Sequence, residues 1–427
     1  MKVKIGIVGY FFARDFARLF SLHPDVEKVC IADLSPEKRA QAREDFPDGE
    51  IYESYDEMLE KSDINCVGIF TQRHLHGPMI IQALKAGKHV YSAVPIGCTI
   101  EEIKEIIELV KETRLIYMMG ETCYYYPSAI FCREKYKKGE FGKFVYAEAQ
   151  YYHDIREMYA DFQRSGGKEW RRVAGIPPMF YPTHSISMIF PAIGEHAVQV
   201  SCMGLRDDFP DDIFGEEKNN FENPFSNETA MFRMSGGGVV RINEFRRVGI
   251  NKPSTYITCF YGERAAYDCV TDKHFFQTAP NPDRSGEVQP MHLEDVSDLI
   301  MPIRYTQFKN GELETCREKE WDNHQSPVDI CAIEGFAPIH DRERLPEVFR
   351  NESPFSHFNS HPYLVDDFVR AVVENKLPPN NAWDAARYMI PGLVAHESAL
   401  QGGKLLDIPD FGEAPADFER LTYDKIM

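Results

Sequence analysis

KVKIGIVGYFFARDFARLFSLHPDVEKVCIAD, residues 2–33, is the stretch whose reading decides the fold. Val3, Ile5, Ile7 and Val8 form the apolar run of a buried strand, and Gly9 ends it. Residues 14–22 follow with Phe16, Leu19 and Phe20 at helical spacing. Val29, Cys30, Ile31 and Ala32 make a second short apolar strand that stops at Asp33. Strand, turn, helix, strand and acid is the order of a dinucleotide-binding βαβ unit. Asp33, 24 residues after Gly9, stands where a carboxylate accepts hydrogen bonds from a ribose hydroxyl. The turn departs from G-x-G-x-x-G, because Phe11 and Arg14 occupy its second and third glycine positions when counted from Gly9. Counting back from Asp33 puts Ala13 at the third. The order of elements is therefore stronger evidence for the fold than the turn is for a ligand.

Working outward, the same alternation repeats. Ser35-Pro36 opens a helix with serine as cap and proline in its first turn. Ser54 with Glu57, and Thr99 with Glu102, are capping boxes. The helix after Thr99 carries Ile103, Ile106, Ile107 and Val110 on one face. Residues 66–71, 89–91 and 115–119 are strands, and 78–86 is helical. This predicts a doubly wound parallel sheet, an NAD(P)-binding Rossmann domain, over residues 1–120. The texture then changes. A helix over 128–138, a strand over 144–152, a hairpin over 230–245 and a strand over 257–261 predict an α+β domain over 121–427. That domain has a large, mostly antiparallel open sheet, with C-terminal helices within 362–400. Residues 205–225 and 270–350 are polar, Pro-rich and resist assignment.

Composition excludes some functions. Lys and Arg number 48 against 67 Asp and Glu, a formal charge of −19 that opposes nucleic-acid and anionic-membrane partners. No apolar run approaches the roughly 20 residues of a membrane span. The N-terminus serves as the first strand rather than a signal peptide. The 10 cysteines are scattered without C-x-x-C pairs, which predicts reduced core thiols and a cytoplasmic location. Among the 14 histidines, His74, His76, His196, His357 and His361 form no helical metal pair with a third ligand nearby. Pro354 and Pro362 bracket His357 and His361 and predict a loop there. No metal site is expected.

Several stretches together resemble the Gfo/Idh/MocA family, the glucose–fructose oxidoreductase and inositol dehydrogenase type. They are KIGIVG at 4–9, IADLSPEKRA at 31–40, residues 52–90, KKGEFGKFVYAEA at 137–149 and HPYLVDDFVRAVVENKLPP at 361–379. The resemblance implies a Rossmann domain followed by a sugar-binding domain whose open sheet often oligomerises, so a homodimer or homotetramer is expected. It also implies oxidation or reduction of a sugar or cyclitol hydroxyl with NAD or NADP. Gly9, Phe11 and Phe12 stand at its glycine turn. Thr71, His74 and His76 match its Thr-x-x-x-x-His cofactor loop, with Gln72-Arg73 where Pro-Asn is commoner. Val94 and Pro95 follow the fourth strand, where the family usually has Glu-Lys-Pro, so its substrate-contacting lysine is absent. Asp33 favours NAD over NADP, because it repels a 2′-phosphate. The segment from Phe180 to His184 matches an Asp-x-x-x-His motif and keeps only the histidine.

An imidazole suits the base that takes a hydroxyl proton during hydride transfer, which makes His184 the catalytic candidate. Tyr181 is placed to donate or relay a proton beside it. Glu121, Tyr124, Tyr125 and Tyr126 lie where the chain leaves the nucleotide domain, and tyrosine rings stack on sugar faces. His153, Arg171 and Arg172 are candidates for holding substrate hydroxyls or a carboxylate, with Arg246 and Arg247 as similar ones. Three activities stay open on the sequence: an NAD-dependent sugar or cyclitol oxidoreductase, a redox-neutral glycoside-cleaving enzyme with tightly bound NAD, and a non-catalytic ligand-binding relative.

Overall fold

The computed structural model describes residues 2–249, 255–270, 273–279, 290–301, 304–309, 312–317, 329–350 and 357–423. In it β1, Val3–Val8, pairs in parallel with β2, Val26–Ala32, and with β4, Cys66–Ile69. β3 (Ile51–Tyr52), β5 (His89–Ser92) and β6 (Tyr117–Met119) complete a six-stranded parallel sheet in the order β3-β2-β1-β4-β5-β6. Helices cover both faces, so its central strands are apolar throughout, and all four residues of β4 are buried. The strand order reverses between β1 and β4, which opens a crevice at their C-terminal ends.

The connecting helices start where the sequence places caps. α1, Arg14–Leu22, buries Phe16, Ala17, Leu19 and Phe20. α2, Pro36–Asp45, is capped by Ser35 Oγ, which accepts from Lys38 N–H at 3.4 Å. At α3, Tyr55–Lys61, only half of the expected box forms: Ser54 accepts from Glu57 N–H, whereas the Glu57 carboxylate accepts from Glu53 N–H. α4 spans His76–Lys85, and α5, Ile100–Thr113, has the complete box at Thr99 and Glu102.

The second domain starts with α6, Pro127–Lys137, and β7, Phe144–Tyr152. β7 pairs in parallel with β10, Val239–Phe245, at the centre of a nine-stranded sheet whose other pairings are antiparallel. On one side of that pair lie β9 (Phe225–Met234), β8 (Ala197–Arg206) and β18 (Leu406–Asp407). On the other lie β11 (Thr255–Gly262), β12 (Ala265–Val270), β13 (Lys273–Thr278) and β14 (His292–Asp295). α9, Thr183–Ile193, and α13, Ala382–Leu400, cover the buried face.

Between β7 and α9 run two short helices, α7 (Tyr159–Gly166) and α8 (Trp170–Ala174). The polar stretch 205–225 is a loop, and the Asn219 amide holds it by donating to the carbonyls of Ile213 and Asn223. Within 270–350, beyond β13 and β14, lie α10 (Ser297–Ile300), α11 (Glu347–Arg350) and a small sheet of β15 (Arg304–Lys309), β16 (Glu312–Arg317) and β17 (Asp329–Glu334).

α12, Ser360–Glu374, returns to the nucleotide domain, where Phe368 packs on Phe20 and Tyr91 with centroids 6.2 and 5.6 Å apart. The expected loop around His357 and His361 is corrected here. His357 lies in a short 3-10 turn and His361 in the first turn of α12, since proline is tolerated at a helix start. The core of the nucleotide domain is thus completed by residues more than 300 positions downstream of β1.

Candidate active site

Gly9 ends β1 with φ +88°, and a Cβ there would lie 2.6 Å from the Phe70 carbonyl oxygen. Glycine alone allows this close crossing of the two central strand ends. The turn then enters α1, whose N-terminus at Ala13 has no side-chain cap, as a site for a phosphate group requires. Asp33 accepts from Tyr10 N–H through Oδ2 and from Ser35 N–H through Oδ1, both at 2.7 Å. Its carboxylate therefore clamps the glycine turn to the end of β2, and each oxygen keeps a further lone pair. Phe11, in the second glycine position, is half exposed between Lys38 Nζ, 5.1 Å from its centroid, and the Arg164 guanidinium at 4.4 Å. Phe12 leans on Phe16 and Phe70. Arg14, at the third, is held away by Asp45 through two bonds of 2.8 Å. An uncapped helix start and an acid at the end of β2 fit a dinucleotide, with the Phe11 and Phe12 rings exposed at the turn where the fingerprint has small residues.

The second cofactor loop is braced by His76. It is fully buried, with Nδ1 2.9 Å from the Pro95 carbonyl and Nε2 3.0 Å from that of Thr71. Burial lowers its pKa, so a neutral ring donates one N–H and ties the segment carrying Val94 and Pro95 to the end of β4. Thr71 Oγ1 donates to Met79 Sδ. His74 is partly exposed, and burial lowers its pKa as well. Gln72 and Arg73 leave the nucleotide domain. Gln72 Nε2–H donates to the Ser165 carbonyl at 2.8 Å, and Arg73 lies over Tyr181, 4.2 Å from its centroid.

The chemical centre is the pair of Glu121 and His184. Glu121 follows β6, and His184 is the second residue of α9. His184 Nδ1–H donates to Glu121 Oε1 at 2.7 Å, which also accepts from Cys123 N–H at 2.9 Å. Burial pushes the Glu121 carboxyl up, but His184 and its hydrogen bonds outweigh that and hold the pKa below the usual range. With Nδ1 committed, the Nε2 of a neutral His184 is left as the proton acceptor. Tyr151 and Tyr181 flank the imidazole, each 4.9 Å from it by centroid. The Tyr151 hydroxyl and His153 Nδ1 share a hydrogen bond of 2.6 Å. Burial, with Arg246 and Arg73 nearby, pushes His153 down to about 4, so its ring is neutral at pH 7. Below this layer Glu244 accepts from Ser185 Oγ at 2.6 Å and from Arg246 Nη2 at 2.9 Å. Burial raises its pKa to about 7 despite Arg246. Among the described residues, Glu121, Cys123 and His184 come close enough to share a metal, but the imidazole and carboxylate atoms concerned face each other.

The remaining candidates divide. Tyr126 lies at the Glu121 side, with electrostatic influence from Glu121 and Tyr151. Tyr125 is turned the other way, stacked on Tyr363 and donating to Asp367. The Arg133 guanidinium lies 4.0 Å from the Tyr124 centroid. Arg171 and Arg172 hold the 205–225 loop, donating to the Asp211 carbonyl and to Asn220 Oδ1. Tyr151 and Arg73 are functional candidates that sequence reasoning passed over; their signal is the alternation of β7 and the departure from Pro-Asn. A shallow cleft opens at Tyr151, the neighbour of His184, polar at Arg73, Tyr151, His153 and Arg246 and apolar at Ile155, Met158 and Phe162.

A parallel sheet with an uncapped helix start at its switch point, joined to an open sheet carrying a buried carboxylate–imidazole pair, is an arrangement suited to a dinucleotide beside a proton-handling group. Residues 3–121 match the model of an oxidoreductase family with an NAD-binding Rossmann fold, Gfo/Idh/MocA. Over 154 residues it is 32% identical to an alpha-N-acetylgalactosaminidase of Bacteroides fragilis, covering 35% of each chain. Over 217 residues it is 25% identical to a glycosyl hydrolase family 109 protein of Saccharopolyspora erythraea, covering 47% of each. The chain thus spans about a third to a half of the length of these curated relatives. In fold it is similar to levoglucosan dehydrogenase in complex with NADH and levoglucosan (TM-score 0.66, 18% identity, 96% and 100% covered). It is also similar to scyllo-inositol dehydrogenase from Lactobacillus casei with NAD(H) and scyllo-inositol (TM-score 0.62, 16% identity, 95% and 99% covered).

Proposed function

We propose that the protein oxidises a ring hydroxyl of a sugar or sugar derivative, using NAD held at the crevice between Gly9, Asp33 and Thr71. The observation that carries this reading is the buried Glu121–His184 bond, which leaves one imidazole nitrogen as acceptor next to Tyr151, a wall of the cleft that Arg73 enters from the nucleotide domain. Bound NAD supplies the hydride acceptor. His184 Nε2 takes the hydroxyl proton, and the Glu121 charge steadies the imidazolium that forms. Tyr181 and Tyr151 flank the imidazole and offer hydroxyls to the sugar. Asp33 repels the 2′-phosphate of NADP. Val94 leaves no ammonium in the position after β5, so proton handling rests on His184 and the tyrosines.

A second reading, redox-neutral glycoside cleavage, is favoured by Tyr151. Its hydroxyl, hydrogen-bonded to His153, is a second proton-handling group next to the imidazole. After oxidation to a ketone, the neighbouring C–H is acidic. Transfer of that proton to neutral His153 would expel the glycosidic oxygen, which Tyr151 would protonate; addition of water would restore the tyrosine proton, His153 would return its proton to carbon, and hydride return to the ketone would leave no net redox change. The names of the curated relatives support this reading.

The test is incubation of the NAD-loaded protein with free sugars, cyclitols and 4-nitrophenyl glycosides. NADH formed in step with oxidised sugar supports the first reading, and nitrophenolate released without NADH supports the second. Neither product from folded, NAD-bound protein across the panel rejects both.

A further inference from the structure

The cleft at Tyr151, the neighbour of His184, contains two guanidinium groups, and only one has a carboxylate partner. Arg246, just past β10, gives one N–H to Glu244 and others to the carbonyls of Tyr151, Phe245 and Pro178. Arg73 enters from the opposite side on the turn after β4. Its guanidinium carbon lies 4.2 Å from the Tyr181 centroid and 5.8 Å from that of Phe162, and no described carboxylate pairs with it. Most exposed cations in so acidic a chain find an acid; this one lies against rings near the proposed base. Glu244 does not balance the pair, because burial keeps its carboxyl only partly ionised at neutral pH. A partly buried guanidinium held beside an aromatic ring, with no carboxylate of its own, is placed to receive a planar anion through two parallel N–H bonds.

We propose that the substrate is an acidic sugar, a uronic acid or its glycoside, whose carboxylate is received by Arg73. This rests on the proposed sugar chemistry at His184 and adds the substrate class. Tyr181 neighbours both Arg73 and His184, 4.2 Å from the guanidinium carbon and 4.9 Å from the imidazole by centroid, so one ligand lying along that ring has the cation at one end and the imidazole at the other. Arg246, over the Tyr151 ring at 4.9 Å, adds positive potential across the same cleft. Ile155, Met158 and Phe162 leave an apolar wall for a ring face or aglycone. Arg73 belongs to the same loop as Thr71 and His76, so the rival anion is the diphosphate of the cofactor, and the test separates the two.

The experiment is calorimetric titration of the full chain, with and without NAD, using D-glucuronate against D-glucose and D-galacturonate against D-galactose. At least one uronate is expected to bind about tenfold or more tighter than its neutral counterpart, a preference that high salt reduces. Arg73→Gln should erase the preference while NAD affinity holds, and Arg73→Lys should keep part of it. Equal binding or no binding of acid and neutral sugar by the wild type overturns the proposal. So does an Arg73→Gln protein that retains the preference but loses NAD affinity. A wild type that binds no NAD defeats the proposed activity, whereas the uronate preference is read without NAD and stands or falls by itself.

Discussion

His184 offers the most direct residue test. His184→Ala is expected to lower turnover by ~10²–10⁴-fold, with NAD affinity by fluorescence titration changed less than about twofold. Glu121→Gln should lower kcat far more than it raises KM, since the carboxylate positions the imidazole and is not itself a sugar ligand. Near-normal kcat in either variant would remove the pair from the mechanism. Glu244 gives a stability test with a defined sign. Its folded pKa, about 7, lies above the ordinary 4.5, so folding favours the protonated form. Stability is full below pH 4.5 and declines as pH rises through about 7. Glu244→Gln should flatten that decline, which is on the order of 3 kcal/mol, in urea melts across the range. His184 stood out in the sequence because it keeps the histidine of an Asp-x-x-x-His motif, and Glu121 because it lies where the chain leaves the nucleotide domain, but nothing in the sequence pairs the two. Which of the tyrosines joins them was not legible. Successive residues of a 3-10 turn point about 120° apart, so no count along 124–126 tells which ring meets Glu121. Tyr151 was hidden for a related reason: alternation along β7 gives two faces but not which one α9 covers.

Among elements, α7 connects both cofactor loops to the second domain. Phe162 lies near Arg73, Arg164 over Phe11, and the Ser165 carbonyl receives Gln72. The helix therefore spans the crevice that the proposed NAD enters. Replacing Arg164 and Gln72 together by alanine should speed NAD loss about tenfold, from one cation–π contact and one hydrogen bond, measurable by stopped-flow displacement. An unchanged dissociation rate would show that α7 does not confine the cofactor. Elements with strong local signals were readable, and α5, with its box and four-residue apolar stripe, begins where its cap predicts. The short strands of 270–350 were not, because runs of four to six residues carry too few periods to separate from loop.

At the scale of the molecule, the nucleotide domain and the C-terminal helix share one core. Phe368 is fully buried against Phe20 and Tyr91. Phe368→Ala is expected to cost ~3–5 kcal/mol. Thermal unfolding should be a single transition, with NAD binding and the tryptophan fluorescence of Trp170 and Trp383 lost together; two separated transitions would show that the domains are independent. Nothing in residues 1–120 announces this dependence, since an apolar face looks the same whether a neighbour or a distant helix covers it. The dependence also has a cost in time. Phe20 and Phe368 are 348 positions apart (368 − 20). At ~5–20 residues per second, synthesis leaves the apolar back of the nucleotide domain bare for roughly 20–70 s. During translation that face stays open to any other apolar surface until α12, which carries Phe368, has emerged.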